Sequence, residues 1–257
     1  MDDHFRTKTA LITGASSGIG AAMARDLARR GAHLVLVARR AERLEALADE
    51  CRLFGATVQV APTDLADPAA RTALAARFGD VDVLINNAGL GVFGALADTD
   101  WERVDTMLAV NITALTHLTR LFAPPMMGRG YGRIMLVAST AAFQPVPLFA
   151  AYAASKSYVL SLGEALDVEL APRGVRVSVL CPGVTETEFF EVADQTRSEF
   201  VKKSAMTADE VARIGLDALA KGRSSVVAGA MNAAMAFGTR FAPRALAAKI
   251  AFRTVKP

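Results

Sequence analysis

The run TGASSGIG, Thr13 to Gly20, constrains this chain more than any other stretch. It follows a short apolar run, Thr9–Thr13 (TALIT), and precedes the alanine-rich stretch Ala21–Arg30, which has helical character. A glycine cluster on a first strand-to-helix turn is the setting in which such a motif binds a dinucleotide. Gly14 permits the tight turn, Gly18 lets the backbone approach a phosphate, and Gly20 lets the helix pack closely on the strand. Ser16, Ser17 and Ile19 complete the loop, and the helix start turns free N–H groups and a partial positive charge toward a pyrophosphate. The spacing is G-x-x-x-G-x-G, not the commoner G-x-G-x-x-G. Its place on the chain carries the argument.

From Gly31 onward the chain alternates between strand and helix. Gly31 stops the first helix, and His33–Val37 (HLVLV) is a run of strand length. A helix is expected over about Ala41–Phe54, then a strand in TVQVAP, then a helix opened by Asp67 as N-cap and Pro68 in the first turn. VDVLIN makes the next strand, followed by a long helix over about Asp100–Met127, a strand in RIMLVAS, a helix carrying Tyr152 and Lys156, and a strand in VRVSVLC. Buried strands alternating with helices signify a parallel sheet covered on both faces. The expected fold class is therefore α/β, a doubly wound, Rossmann-like sheet. The 257 residues, 52% of them apolar, suit one domain spanning 1–257.

The remaining composition excludes more than it assigns. A formal charge of +3 and a pI near 9.0, with no long Lys/Arg run, give no footprint for nucleic acid. Cys51 and Cys181 stand far apart and read as reduced thiols of a cytoplasmic protein. The start, MDDHFRTKTA, lacks the pattern of a signal peptide, and no apolar run reaches the ~18 residues of a spanning helix. His4, His33 and His117 are scattered and form no metal-ligand cluster.

The end of the second strand speaks to the choice of dinucleotide. A carboxylate there would hold the ribose hydroxyls of NAD, whereas arginine accommodates the 2′-phosphate of NADP. This chain reads VLVARRAER, with Ala38 at the expected acidic position and Arg39 and Arg40 next to it. Guanidinium groups suit bidentate phosphate contact. NADP(H) is the expected cofactor, with Arg39 ahead of Arg40.

Tyr152 and Lys156 are spaced i, i+4, so they share one helix face, and Ser139 lies upstream at the end of a strand. A cation beside a tyrosine favours the phenolate and makes the residue usable as a general acid or base near neutral pH. The Ser139 hydroxyl can donate to a developing alkoxide.

Taken together, TGASSGIG, Asp64-Leu65, NNAG at Asn86–Gly89, Asn111, Ser139, YAASK at Tyr152–Lys156 and PGVTET at Pro182–Thr187 resemble the short-chain dehydrogenase/reductase family, in order and with matching spacing, over roughly Lys8 to Thr187. The resemblance implies roles. Asp64 bonds the adenine amino group, with Leu65 alongside, and Asn87, Ala88 and Gly89 line the adenine-ribose side. Thr13 braces that loop. Asn111 holds a water linking Lys156 to solvent, Ser139 polarises the carbonyl, Tyr152 moves the proton, and Lys156 lowers the tyrosine pKa and bonds the nicotinamide ribose. Pro182, Gly183, Thr185 and Thr187 hold the nicotinamide amide and diphosphate. The implied activity is hydride transfer between NADP(H) and a carbonyl or alcohol of a small-molecule substrate. The rival is a non-catalytic NADP(H)-binding sensor or scaffold, which the presence of Asn111, Ser139, Tyr152 and Lys156 disfavours. Homodimers or homotetramers are the family's usual assemblies.

Beyond Thr187 the pattern loosens. About 188–206, polar with Phe189 and Phe190, reads as a substrate lid, and Thr207 caps the next helix in a capping-box sequence. Leu90, Phe93, Phe143, Val146, Leu148 and Phe149 are expected on loops facing the same pocket, which suits an apolar ketone, aldehyde or secondary alcohol. From about 226 to 257 the chain is Ala/Met/Phe-rich with only positive charges. Arg240/Arg244 and Lys249/Arg253 suggest a basic stripe on an apolar helix broken by Pro243. Such a segment packs on a neighbouring subunit, the favoured choice, or makes peripheral membrane contact.

Overall fold

A parallel sheet hides both faces, so its strands must be apolar on both sides. That is what β1 (Thr9–Thr13), β2 (His33–Ala38), β4 (Val83–Asn86), β5 (Gly132–Val137) and β6 (Val175–Cys181) are. With β3 (Val58–Pro62) and β7 (Ser225–Val227) they form one seven-stranded sheet, ordered β3-β2-β1-β4-β5-β6-β7 and parallel throughout. The structure, a computed structural model, describes residues 4–189, 193 and 205–255.

Alternation along each strand divides the core in two. Ala10, Ile12, Leu34, Leu36, Val83 and Ile85 point to one face, where α1 (Gly18–Arg29), α2 (Ala41–Arg52) and α7 (Ala208–Ala220) pack. Leu11, Val35, Val37, Leu84, Leu136 and Val179 point to the other, under α3 (Pro68–Phe78), α5 (Leu115–Arg129) and α6 (Ala150–Leu170). Each fully buried Leu or Ile contributes about 1.5–3 kcal/mol. Helix α6 lies especially close to the sheet. A Cβ on Gly163 would run into the Val179 side chain and come within 3.1 Å of Leu136 Cδ1.

The Asp67 cap, with its side chain accepting from the Ala69 amide, and the capping box of Thr207 and Glu210 form as the sequence suggests. Other boundaries differ. Helix α1 starts at Gly18, inside the glycine motif, and α2 ends at Arg52. The helix expected over Asp100–Met127 consists of α4 (Trp101–Leu108), a π-helical turn (Ala109–Ala114) and α5. The edge strand β7 has no counterpart among the expected elements, since it is only three residues long and half-buried.

The basic stripe is corrected in part. Helix α8 (Ala230–Gly238) stops before Arg240, and α9 (Arg244–Val255) begins after Pro243, so Arg240 and Arg244 lie on different elements. Helix α8 ends five residues before Pro243, and the Pro243 carbonyl accepts from the Leu246 and Ala247 amides and starts α9. Lys249 and Arg253 do share α9.

Candidate active site

Strands that all run one way end on one side, and ligands of such sheets bind beyond those ends. A cleft of about 1300 Å³ opens there. Its walls draw on the end of every strand: Gly14 after β1, Ala38 of β2, Asp64 after β3, Asn87 after β4, Ser139 after β5, Pro182 after β6 and Gly229 after β7.

At the first turn Gly14 takes φ +66°, a left-handed value that favours glycine. A Cβ on Gly20 would collide with the Gly14 carbonyl oxygen, and one on Gly18 would approach Thr187 Cγ2 at 2.9 Å. Ser17, the N-cap of α1, is extended and makes no side-chain cap bond, so the first amides of the helix are not satisfied from the chain's own caps. With a glycine cradle around them, they fit the pyrophosphate of a dinucleotide. The loop is braced from β4. Thr13 Oγ1 donates to the Ile85 carbonyl at 3.2 Å and accepts from the amides of Asn87 and Ala88, both at 3.0 Å. Asn87 Nδ2 donates back to the Thr13 and Gly14 carbonyls. Ser16, Ile19, Ala88 and Gly89 line the cleft as well.

Arg39 and Arg40, both exposed, line the cleft at the end of β2. Arg40 is a tie between segments. It donates from Nε and Nη2 to Ser16 Oγ at 3.3 and 3.1 Å, and from Nη2 to Ser17 Oγ at 3.1 Å. Its Nη1 meets Glu188 Oε2 at 3.1 Å, and Arg43 Nη1 meets Oε1 of the same carboxylate at 2.5 Å. These guanidiniums, Arg43 first and then Arg40, hold Glu188 below the usual carboxylate range. Asp64 caps the turn after β3 by accepting from the Ala66 amide at 3.0 Å, and Leu65 is buried next to it.

At the other end of the cleft α6 presents Tyr152 and, one turn on, Lys156, the latter only 4% exposed. Lys156 Nζ lies 5.8 Å from the Tyr152 ring centre and donates to the Val137 carbonyl at 2.9 Å. Ser139, N-cap of a short 3₁₀ turn (Thr140–Phe143), accepts from the Ala141 amide at 3.1 Å. Loss of water governs both titrating groups. It pushes Tyr152 up to about 12, against a hydrogen bond with Ser139 that pulls down, and pushes Lys156 down to about 8. The expected lowering of the tyrosine by the lysine is not found: desolvation, which favours neutral phenol over phenolate, dominates, and the only downward pull comes from Ser139.

Asn111 sits in the π turn and is fully buried. Its Oδ1 accepts from the Leu90 amide at 2.9 Å, and its Nδ2 donates to the Leu90 carbonyl at 2.9 Å and to Ser155 Oγ at 3.1 Å. Ser155 in turn donates to the Tyr152 carbonyl. The side chain therefore clips the loop after β4 to α6. Gly89 lies between, where a Cβ would come within 3.2 Å of Lys156 Nζ and 3.4 Å of Asn111 Oδ1.

Pro182, Gly183, Thr185 and Thr187 line the cleft between its two ends. Of the apolar residues expected there, Leu90, Val146 and Phe149 line it, and Phe93 stacks behind Phe149 at 5.2 Å. Phe143 instead packs into the core under α6, and the Leu148 carbonyl accepts from the Gly94 amide of the loop after β4. Phe189 faces Tyr152 at 5.3 Å. Phe190 and most of the expected lid over 188–206 lie outside the described residues. Met231 and Met235 of α8 and Ile250 and Val255 of α9 also line the cleft, which the sequence did not disclose. Their signal was the apolar C-terminal run, whose pattern suggests outer surface.

Comparison with known proteins agrees with this geometry. The family model described as short chain dehydrogenase matches residues 8–198. A D-beta-hydroxybutyrate dehydrogenase of Rhizobium meliloti is 38% identical over 200 residues, covering 75% of this chain and 78% of that one. A short-chain dehydrogenase from Sphingobium yanoikuyae, solved in complex with NADPH, superposes with a TM-score of 0.84 at 35% identity, covering 93% of this chain and 94% of the other. One from Burkholderia phymatum, solved in complex with NAD, gives 0.83 at 32% identity, covering 91% and 92%.

Proposed function

This chain belongs to the short-chain dehydrogenase/reductase family, and from that premise we propose that it transfers hydride between NADP(H) and an apolar ketone, aldehyde or secondary alcohol. The observation that carries the proposal is the convergence of Ser139, Tyr152 and Lys156 at one end of a cleft whose other end holds the uncapped start of α1. Relatives solved with NADPH and with NAD both superpose closely, so the preference for NADP(H) rests on Arg39 and Arg40 and on Ala38 in place of a carboxylate.

When bound, the nicotinamide supplies or accepts the hydride. The protein handles the proton. In reduction, the Tyr152 hydroxyl gives its proton to the carbonyl oxygen as the carbon takes the hydride, and the C=O bond becomes an alcohol. A phenol pushed up to about 12 is in its acid form at neutral pH, which suits this direction. Ser139 steadies the same oxygen, and charged Lys156 stabilises the phenolate left behind. Gly14, Ser16, Ser17, Gly18, Ile19 and Gly20 would hold the pyrophosphate. Asp64, Leu65, Asn87, Ala88 and Gly89 would hold the adenosine, and Pro182, Gly183, Thr185 and Thr187 the nicotinamide side. Asn111 keeps the floor of the site in place.

The buried, unpaired thiols of Cys51 and Cys181 support a reducing, cytoplasmic compartment. We assign the molecule as one domain that assembles as a homodimer or homotetramer, as is usual in the family. The test is titration of the purified protein with NADPH and NADH, followed by oxidation of each across a panel of ketones and aldehydes. Tight NADPH binding with turnover of an apolar carbonyl is the expected result. Binding without turnover on any member favours the sensor or scaffold reading.

A further inference from the structure

Helices α8 and α9 have two unlike sides. The inner side closes the cleft, with Met231, Met235, Ile250 and Val255 in its wall. The outer side is apolar and open. Of the thirteen large hydrophobic residues exposed among the described residues, seven lie between Met231 and Phe252, so apolar surface is concentrated here and not scattered. Phe241, in the turn between the helices, is 77% exposed, and its ring meets that of Phe237 at 5.4 Å. Met231, Met235 and Ile250 are exposed and also line the cleft, so the patch runs without a break into the mouth of the site.

The charges around this patch have one sign. Arg240, Arg244, Lys249 and Arg253 are exposed, and no Asp or Glu occurs anywhere from 218 to 257. On α9 the buried Ala247 and Ala251 mark the inner face, and Lys249 and Arg253 rise on the outer face beside the exposed Leu246 and Ile250. Their stems can lie along apolar surface while the cations reach outward. A twofold contact between copies would set this patch against itself. Cations would then face cations with no carboxylate to pair them, which costs association energy. An anionic bilayer matches both the apolar surface and the charge.

We propose that the α8–α9 hairpin seats on an anionic membrane surface, with Phe237 and Phe241 in the acyl boundary, and that the cleft receives its substrate from the lipid. The substrate class is then a carbonyl or alcohol that partitions into membranes. That second part rests on the redox reading of the cleft, whereas the membrane contact does not.

The test sediments full-length protein with vesicles of phosphatidylcholine alone and with vesicles carrying about 30 mol % phosphatidylglycerol, at low and at high salt. The protein is expected to pellet only with the anionic vesicles and to be released by salt. The double variant R244E/K249E should lose about tenfold or more in partitioning. Phe241→Ser should also weaken it, and both variants should keep wild-type NADPH oxidation with a water-soluble ketone. A long-chain ketone carried in anionic vesicles should be reduced faster by the wild type than by R244E/K249E. Wild-type protein that stays in solution with anionic vesicles at low salt overturns the contact, and dissociation of an oligomer by Phe241→Ser would reassign the patch to a subunit interface. Vesicle binding with no advantage for the vesicle-borne ketone overturns the substrate class. Vesicle binding with no turnover of any carbonyl, soluble or lipid-borne, locates the failure in the redox reading and removes the substrate class with it, leaving the contact standing.

Discussion

Lys156 reaches across from α6 and donates from Nζ to the Val137 carbonyl at the end of β5, at 2.9 Å. The strand that ends beside Ser139 is thereby tied to the helix that carries Tyr152. The ammonium is held among buried groups and pushed down to about 8 by loss of water. Charge at this position is held at a cost to the fold.

The sign of that cost is fixed. Between about pH 8 and 10.5 the unfolded chain binds the proton that the folded chain has released, so stability rises with pH over that window. Below it the penalty is fully present. Lys156→Met should therefore raise stability at pH 7 by about 1–3 kcal/mol, less what the orphaned Val137 carbonyl takes back. Thermal unfolding at pH 7 and pH 10 checks this: the gain should shrink at the higher pH, while carbonyl reduction is lost at both.

Reduction should be flat below about pH 7 and fall as Lys156 loses its charge near pH 8, with the Tyr152 phenol still protonated up to about 12. The profile of kcat against pH for a saturating ketone measures this. A falling limb only above pH 10 would assign the charge no part in the step.

Tyr152→Phe removes the proton donor and leaves the ring between Phe149 and Phe189 in place. Turnover should drop by about 10³-fold or more while NADPH affinity changes by less than about 3-fold. Stopped-flow binding and steady-state turnover separate the two. Wild-type-like turnover would sink the mechanism.

Arg39→Asp should weaken NADPH by about tenfold or more and NADH far less, because a carboxylate repels the 2′-phosphate and suits free ribose hydroxyls. Glu188→Gln should act in the opposite direction, tightening NADPH by freeing Arg40 and Arg43 from a competing carboxylate. Fluorescence titration with both cofactors reads each change.

Asn111→Ala strips the Leu90 amide and carbonyl of their buried partners and should cost about 2–3 kcal/mol in stability. Denaturant unfolding measures it. Asn111→Asp should retain the bond from the Leu90 amide but lose those to the Leu90 carbonyl and Ser155.

Much of the fold and the site is legible in the sequence because it is local. The apolar strands, the glycine turn, the Asp67 and Thr207 caps and the Tyr152/Lys156 spacing are each set by neighbours within a few residues. The features that escape a sequence reading depend on distant partners. Strand β7 is short and half-buried, and only its pairing to β6 makes it a strand. The π turn around Asn111 occurs where that side chain is held by Leu90 and Ser155. Glu188 joins Arg40 and Arg43 from far along the chain, and α8 and α9 wall the cleft through tertiary packing alone. The tyrosine pKa departs from expectation for a similar reason, since charge spacing can be read from sequence but desolvation cannot.

Gly163 lies eleven residues beyond Tyr152 on α6, about 16 Å away along the helix axis, with Val179 and Leu136 beneath its bare Cα. Helix α6 is one unbroken rod of 21 residues, so its seating there sets the tilt with which the phenol meets a substrate. A displacement of about 1 Å at the reacting atoms can cost about 10²-fold in rate. One added methyl at that distant point on the sheet-facing side of the helix would thus detune the reaction without touching the cleft, and alignment in this protein is a property of how closely a helix is allowed to lie on its sheet.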